Sequence, residues 1–389
     1  MFRRVRYPLV ALLVGVVAGC GGLAPPAAST GSPQFTTPVS PVTGCGAQSH
    51  VDPADRSPQR AVARCEAGTP APAPLPQREL VRLAAQSKGE YLAPVLLGIA
   101  NGEFEKENLQ VEISAVSFAD ALPQLVSGGL DVSQGGPYAS LVNGAGSGLG
   151  VRWVLGNYAP SHGGEVDVPQ AGLWFRRDAF TDPAHPGLAN LVDRRPVVAN
   201  TQGSGTPAAY WMERAFRAAG IDYADVEFQQ LGSADQVTAL RSGAVQGAFL
   251  VDPYWQQIAD DPAFVQVAVQ DREVNGGMFY GTRLLQERPD IGEAFARAYI
   301  RTINSYLAGN YKSDTATIAA LAQQAGVPAE VMARGTPLLF DWQIPQGLTD
   351  DLQRTYIALG AVRTISEPLP EDQLATRAFY DRAVGHAEG

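Results

Sequence analysis

The sequence predicts an α/β protein with two Rossmann-like lobes joined by a hinge and followed by C-terminal helices. From residue 79 onward, short apolar strands alternate with helical segments, which is typical of a mostly parallel sheet covered on both faces. A weak internal repeat indicates that this arrangement occurs twice along the chain. After residue 290, apolar residues recur at helical spacing, which indicates that the chain ends in helices.

The first residues indicate an export signal. A basic stretch precedes the apolar run from Pro8 to Val17, which is shorter than the roughly 18–20 residues that span a membrane as a helix. Small residues then lead to Cys20, so residues 1–19 are predicted to be a cleaved signal peptide. The pattern resembles a bacterial lipobox, which implies that Cys20 is lipidated and anchors the chain to the outer face of the cytoplasmic membrane. A plain secretory signal is the alternative.

Residues 20–78 are rich in Pro, Gly, Ser, Thr and Ala and show little apolar periodicity. This composition favours an extended chain over a packed core, so the segment is predicted to be a tether for the folded body, residues 79–389. The segment carries Cys45 and Cys65, an even pair in an exported chain, which predicts a disulfide. Zinc binding is the alternative, although two cysteines with only His50 nearby make a poor zinc site.

The folded body shows strands and helices in alternation. The sequence predicts strands at 80–85, 109–113, 130–133 and 172–175, and helices at 91–101, 120–125, 290–307, 315–325 and 350–359. The strand at 172–175 is predicted to leave the first lobe, and the segment 274–280 to return to it. Lobe 1 is therefore predicted to comprise residues 79–172 and 275–389, and lobe 2 residues 173–274.

The internal repeat relates the two predicted lobes. Ala119-Asp120 is matched by Ala234-Asp235, and Ser127-Gly128 by Ser242-Gly243, each about 115 positions later. Pro137-Tyr138 recurs as Pro253-Tyr254 with one extra residue in between. Chance identity between two ordinary βα units is the alternative, but the matches keep their order over about 60 residues. The repeat therefore predicts two lobes of the same architecture.

Glycine-rich turns before predicted helices are the candidate binding elements. In open α/β sheets, ligands lie beyond the carboxyl ends of strands, where helix N-termini offer free N–H groups. Thr206-Pro207 is a typical helix start, and the glycines before it let the backbone approach a ligand closely. The turn at Gly135-Gly136 has the same character and is assigned to the equivalent position of the repeat. The candidate ligand-binding residues are Ser87, Lys88, Tyr91, Gln134, Gly136, Tyr138, Gln202, Ser204, Gly205, Thr206, Asp252, Tyr254 and Asn275.

Some of these candidates are open to a second interpretation. Tyr138 and Tyr254 occupy equivalent positions of the repeat, but an aromatic ring packs in a core as readily as against a ligand. The same holds for Tyr91. Asp252 follows an apolar strand at its carboxyl end, where it either lines a cleft or caps the next helix.

Four stretches resemble one group of transport receptors. They are residues 98–112 (GIANGEFEKENLQVE), 125–132, 197–204 and 240–248. They are similar to the substrate-binding proteins for sulfonates, taurine, nitrate and thiamine-precursor pyrimidines. The resemblance covers about 79–310 and implies a type II periplasmic-binding-protein fold. It also implies a receptor that closes about a hinge and hands a solute to the permease and ATPase of an ABC importer. We expect a monomer whose hinge lies near 172–178 and 271–277.

The composition and motifs exclude several other functions. The net charge of −10 argues against nucleic-acid binding. No nucleophile elbow, zinc-protease motif or phosphate loop is present, and the four histidines are scattered. No catalytic residue, metal or cofactor is therefore predicted. An exported enzyme of the same fold acting on a small heterocycle and a ligand-sensing lipoprotein are the alternatives.

The charged residues of the candidate loops indicate which charge the ligand carries. They carry few cations, Lys88 being the main one, while Glu90 and Asp252 are acidic. A neutral or weakly basic solute, such as a heteroaromatic compound, is therefore favoured. A sulfonate held by backbone N–H groups at the start of a helix is the runner-up.

The Cys45–Cys65 pair gives a direct test by mass. We expect the 45–65 peptide of exported protein to be lighter than its reduced form by two hydrogen atoms. The bond closes a loop of about 20 residues, so its reduction is expected to lower the free energy of unfolding by roughly 3 kcal/mol. A Cys65→Ser variant is the control, because it must show no such mass difference. Two alkylatable thiols in exported protein would contradict the prediction.

Overall fold

The computed structural model describes residues 33–45, 51–57, 60–160, 171–200, 203–270, 273–335 and 337–386. The predicted signal peptide and Cys20 lie outside these residues, as does the candidate site residue Gln202. Within the described ranges, no helix combines the length and the apolar character that a membrane crossing needs.

Strands and helices alternate through most of the described chain. The strands are β1 Glu79–Ala85, β2 Leu109–Ala115, β3 Val132–Gly135, β4 Arg152–Gly156, β5 Tyr158–Pro160, β6 Gly172–Arg176, β7 Val197–Asn200, β8 Glu227–Gln230, β9 Gly247–Leu250, β10 Phe264–Val269, β11 Gly277–Tyr280 and β12 Leu338–Phe340. The α-helices are α1 Ala93–Ala100, α2 Phe118–Ser127, α3 Ala139–Gly146, α4 Pro207–Ala218, α5 Ser233–Ser242, α6 Pro289–Tyr306, α7 Thr315–Ala325, α8 Ala329–Arg334, α9 Leu348–Ala358 and α10 Ala378–Val384.

The strands form two five-stranded sheets of the same topology. The first has the order β2-β1-β3-β11-β4, and the second, read in the matching direction, β8-β7-β9-β6-β10. In each sheet four strands run in one direction and one strand, β11 or β6, runs antiparallel to both of its neighbours. The predicted α/β class with two like sheets is confirmed. The boundaries of lobe 1 and lobe 2 stay a prediction, and we keep these names for the predicted ranges.

The internal repeat corresponds to matching elements in the two sheets. Helix α5 begins and ends 115 positions after α2. Both helices end at a glycine in the left-handed region, Gly128 with φ 74° and Gly243 with φ 78°. A residue with a Cβ is strained in that conformation, so the Ser-Gly pairs at the two helix ends have a common structural cause.

The chain enters the first sheet a second time after building the second sheet. Strand β11 inserts between β3 and β4, where Gly277 lies opposite Gly135 on one side and Gly156 on the other. A Cβ added at Gly277 would lie 1.9 Å from the Leu155 carbonyl oxygen and 2.1 Å from Trp153 Nε1. Only glycine lets the three strands approach this closely at that point.

The hydrophobic core follows the division into two sheets. One large cluster joins β1, β3, β4 and β11 to the C-terminal helices, with α6 contributing Phe295, Tyr299 and Ile303, all fully buried. The second sheet has a core on each face, one against α4 and one against α5. The predicted C-terminal helices therefore complete the core around the first sheet.

The N-terminal segment differs from the free tether that its composition predicts. Residues 51–57 and 60–75, here called the strap, lie against the body, and Ala63, Cys65 and Leu75 join the large core cluster. Composition measures how much apolar surface a segment carries. It does not reveal the specific polar contacts that hold this one.

A buried charge network fixes the end of the strap. Glu107 is fully buried and pairs with Arg297 at 2.9 Å and with Arg301 at 2.8 Å, both on α6. The same arginines donate to the backbone carbonyls of Ala73 and Pro70 in the strap, each at 3.1 Å. The charges are thus paired and their remaining donors are satisfied, as burial requires.

The two cysteines of the predicted disulfide lie together. Cys45 and Cys65 have Cα atoms 4.5 Å apart and sulfurs in bonding contact. Both side chains are buried. We keep the bond as a prediction, to be tested by the mass measurement above.

The inserted strand gives a prediction on stability. We expect Gly277→Ala to lower the free energy of unfolding by about 3 kcal/mol, because the added methyl group would overlap backbone atoms of β4 that cannot move without breaking the sheet. Urea denaturation followed by circular dichroism measures the change.

Gly187→Ala is the matched control. That residue has an extended backbone with φ −169°, and nothing lies within 4 Å of an added Cβ. The control should stay within about 0.5 kcal/mol of the parent protein. Equal stability of the Gly277→Ala variant would contradict the close strand packing.

Candidate functional site

Two loops, one from each lobe, meet face to face. The Ala139 amide at the start of α3 donates a hydrogen bond to the Gly205 carbonyl oxygen just before α4, at 2.9 Å. A Cβ added at Gly205 would lie 2.8 Å from the Ala139 Cβ, and one added at Gly136 would lie 3.2 Å from the Pro207 Cγ. The glycines therefore allow the two helix starts to touch.

The local sequence explains the start of α4. The Thr206 hydroxyl accepts a hydrogen bond from the Ala209 amide at 3.2 Å, which satisfies one of the free donors of the first turn. Pro207 occupies the first helical position, where no N–H is needed. The predicted helix start is confirmed. This helix start lies at the contact between Gly205 and Ala139.

The two glycine loops are not equivalent positions of the repeat, contrary to the sequence-based assignment. The loop at Gly135-Gly136 follows β3, whose counterpart in the second sheet is β9. The loop before Thr206 follows β7, whose counterpart is β1. Gly-rich turns before helices are common enough that similar composition in two loops does not establish equivalence. Loops that follow non-equivalent strands of the two sheets therefore meet where the lobes are in contact.

Tyrosines from three elements gather beside this contact. The hydroxyl of Tyr91 contacts the hydroxyl of Ser87 and donates to its carbonyl at 2.9 Å. Burial raises the pKa of Tyr138, and the neighbouring Tyr91 adds to that rise. Tyr158, which sequence reasoning missed, is partly buried and lies near Tyr138 and Tyr91. Its carbonyl accepts from the Asn275 amide at 2.6 Å. Four of the predicted residues are therefore close together around Tyr158.

An ion pair lies next to this tyrosine group. Lys312 Nζ is 2.6 Å from Glu90 Oε1, and both side chains are largely buried, with 7% and 17% of their surfaces exposed. The hydroxyl of Tyr311 also contacts Glu90. Burial raises the pKa of Glu90, the ion pair with Lys312 opposes that rise, and the charge of Asp252 adds to it. Asp252 of lobe 2 therefore lies near enough to the Glu90 group of lobe 1 for its charge to act on it.

The other predicted site residues have different surroundings. Lys88 and Ser204 are exposed at the surface. Gln134 lies within β3, opposite Met278. Tyr254 packs against the core of lobe 2 around Trp174 and Trp255, which favours the packing interpretation for that ring.

Two buried polar residues at the junction carried no clear sequence signal. Tyr356 on α9 is fully buried, and no hydrogen-bond partner for its hydroxyl is found in the described part of the chain. Burial raises its pKa, and the nearby Tyr138 and Tyr210 add to that rise. Asn200 is 2% exposed at the carboxyl end of β7, and its amide also has no partner among the described residues. Buried polar groups are rarely left unpaired, so both are candidates for contact with a ligand.

The described residues contain no group of three His, Cys, Asp or Glu side chains placed to hold a metal ion. A small cavity is present elsewhere, between the strap and the segment that returns to lobe 1. It is lined by Arg56, Arg60, Glu273 and Asp341 among others.

Solved structures of similar fold include periplasmic binding proteins for sulphonate and nitrate. The alkanesulfonate-binding protein SsuA from Xanthomonas axonopodis pv. citri, bound to MOPS, has a TM-score of 0.56 and 14% identity, covering 78% of this chain and 100% of its own. The periplasmic nitrate-binding protein NrtA from Synechocystis PCC 6803 has a TM-score of 0.54 and 14% identity, covering 80% and 89%. The desulfurization enzyme DSZB has a TM-score of 0.51 and 14% identity, covering 79% and 99%. At these identities the likeness concerns the fold alone.

The chain belongs to the NMT1-like family, whose family model matches residues 88–323. No curated protein sequence gives a match. The family match and the similar folds confirm the resemblance and the fold class predicted from the sequence.

The Glu90–Lys312 pair gives a prediction on stability and pH. We expect Lys312→Met to lower the free energy of unfolding by about 3 kcal/mol near neutral pH, because it leaves the Glu90 carboxylate buried without its cation. Burial already raises the pKa of Glu90, and loss of the cation raises it further. A carboxyl whose pKa is higher in the folded than in the unfolded chain stabilises the fold as the pH falls. The deficit should therefore shrink on acidification toward the unfolded-state pKa.

Chemical denaturation at a series of pH values measures this effect. The double variant Lys312→Met with Glu90→Gln is the control, because it removes the unpaired charge and should recover most of the lost stability. A deficit in the single variant that does not change with pH would contradict the assignment to Glu90.

Proposed function

We propose that the protein is an extracytoplasmic solute-binding receptor that delivers a small organic solute to the permease of an ABC importer. The observation that carries the proposal is the contact between Ala139 and Gly205, where helix starts from two like lobes meet across a shared junction. Receptors for alkanesulfonate and nitrate are among the proteins of similar fold, which supports the same assignment here.

Binding and closure are linked in this proposal. A ligand between the lobes contacts lobe 1 at Tyr91 and Tyr138 and lobe 2 at the loop before Thr206. It gains both sets of contacts only when the lobes are closed, so it stabilises the closed form by its differential affinity. The hinge is placed near 172–178 and 271–277, and the receptor acts as a monomer.

The polar groups at the junction favour a neutral or weakly basic solute. Lys312 is already paired with Glu90, and Asp252 adds a second carboxylate on the opposite lobe. Tyrosine rings and hydroxyls offer flat contacts and hydrogen bonds that suit a heteroaromatic compound. A sulfonate is the second candidate, supported by the N-terminal end of α4, where the helix dipole favours an anion, and by the alkanesulfonate-binding protein of similar fold.

Export and anchoring complete the proposal. The lipobox-like pattern at Cys20 is taken to give a lipid anchor on the outer face of the cytoplasmic membrane, and a Cys45–Cys65 disulfide fits such a compartment. The enzyme of similar fold keeps one alternative open, an exported enzyme acting on a small heterocycle. That alternative requires turnover by the purified protein, whereas a receptor releases its solute unchanged.

Thermal-shift screening of the full chain tests the proposal. A solute present at 100 times its dissociation constant is expected to add about 2.7 kcal/mol to the stability of the folded state. The panel should contain heteroaromatic amines, neutral heterocycles, alkanesulfonates and nitrate. Stabilisation by none of them, or consumption of a stabilising compound without added factors, would contradict the receptor assignment.

A variant that hinders closure provides the matched control. In Gly205→Val the side chain would overlap Ala139 and approach Ala361 of lobe 1, so the closed contact cannot form. Small-angle scattering with the identified binder present should show that the parent is more compact than this variant. Gly187→Val, at an open surface position, should behave like the parent.

A further inference from the structure

The strap holds the body at several points by polar contacts. The Val51 amide donates to Gln343 Oε1 at 3.1 Å, and the Pro53 carbonyl accepts from the Gln346 amide at 2.7 Å. Further along, Arg60 pairs with Asp341 at 2.5 Å, and both side chains are at least nine-tenths buried. All of these partners belong to the C-terminal part of lobe 1, so these contacts fix the strap to one lobe.

Arg56 of the strap differs, because its partners come from three separate parts of the chain. Its guanidinium lies 2.7 Å from Asp351 on α9 of lobe 1 and 2.6 Å from Glu273 in the segment that returns from lobe 2. It also donates to the hydroxyl of Tyr210 on α4 of lobe 2, at 3.3 Å. One side chain of the strap therefore contacts both lobes and the connection between them.

Glu273 extends this link further into lobe 2. Its second carboxylate oxygen is 3.0 Å from Arg214 on α4, and the Arg214 guanidinium lies 5.3 Å from the centre of the Tyr210 ring. The Glu273 and Arg56 side chains are 17% and 24% exposed. Ion pairs that are partly withdrawn from water and share a network are stronger than isolated surface pairs.

The contacts of Arg56 lie where the two lobes meet. Helix α9 packs against α3 of lobe 1 and α4 of lobe 2, the two helices whose starts meet at Ala139 and Gly205. If lobe 2 rotates away, α4 moves relative to α9 while the strap stays fixed to lobe 1. Arg56 then cannot keep Asp351, Glu273 and Tyr210 together.

We propose that the strap is a built-in latch in which Arg56 bridges the lobes and biases the receptor toward its closed form before any solute binds. The latch goes beyond solute binding itself and rests on the proposed closure of the two lobes. By raising the population of the closed form, it raises the apparent affinity for solute and slows release. Detachment of the strap then provides a route to opening that does not require the solute to leave first.

Hydrogen exchange in the ligand-free full chain tests the latch. The Ala139 amide is bonded to the carbonyl of Gly205 on the other lobe, so its exchange reports separation of the lobes. We expect Arg56→Gln to speed exchange of this amide about tenfold, the size of a typical coupling between sites. Glu273→Gln should act in the same direction, and scattering should show an expanded ligand-free chain in both variants.

Matched variants distinguish the loss of the Arg56 contacts from a general effect of removing a positive charge. Arg217→Gln removes an exposed arginine that pairs only within α4, with Glu213, among the contacts of the described chain, and it should leave the Ala139 exchange unchanged. An equal effect of that variant would overturn the proposal, as would normal exchange in a folded Arg56→Gln variant. If Arg56→Gln does not fold, Asp351→Asn removes one partner of Arg56 on α9 and must still speed the exchange; an unchanged rate overturns the latch.

The hydrogen-exchange test of the latch does not require the solute to be known. Opening on loss of Arg56, together with failure of every solute in the panel, would support the latch and contradict the receptor function. Compaction by a solute, together with unchanged exchange in the Arg56 and Asp351 variants, would support the receptor and overturn the latch.

Discussion

The structure depends on the insertion of strand β11 into the first sheet. The first sheet is incomplete until β11 inserts between β3 and β4, after the chain has built the whole second sheet. Gly277 makes that insertion possible, because any side chain there would overlap the neighbouring strand. The Gln270 amide is bonded to the Ala171 carbonyl at 3.1 Å, so the chain enters the second sheet at β6 and leaves it after β10 at neighbouring points.

That connectivity also places the candidate site. The helix starts at Ala139 and Pro207 face each other because each follows a strand whose carboxyl end points toward the other lobe. Helix α9 then covers the junction and supplies Tyr356, a buried hydroxyl without a partner in the described chain. In the proposed function, ligand recognition and lobe closure involve the same surfaces, which is the arrangement that a receptor needs if binding is to drive closure.

Sequence patterns predicted much of the fold and part of the site. The helix starting at Pro207 and the matching helices α2 and α5 follow from local signals, a capping residue and a glycine at the helix end. Loops after strands also indicated Tyr91, Tyr138 and Asn275 as candidates, but not that they lie close together. The ion pair of Glu90 with Lys312 could not be predicted in this way, because its partners are separated by more than 200 residues and neither lies in a recognisable motif. The same holds for the docking of the strap.

The sequence by itself determined the α/β class, the duplication and the polar character of the loops, since each of these is written in residue spacing over short distances. Only the tertiary structure decided which glycine loops meet, which tyrosines share the junction and where the N-terminal segment lies. Those features depend on contacts between distant positions, such as Arg56 with Glu273, and on the relative placement of two sheets. Local composition predicts neither these long-range contacts nor the relative placement of the sheets, because such contacts form only when the chain has folded.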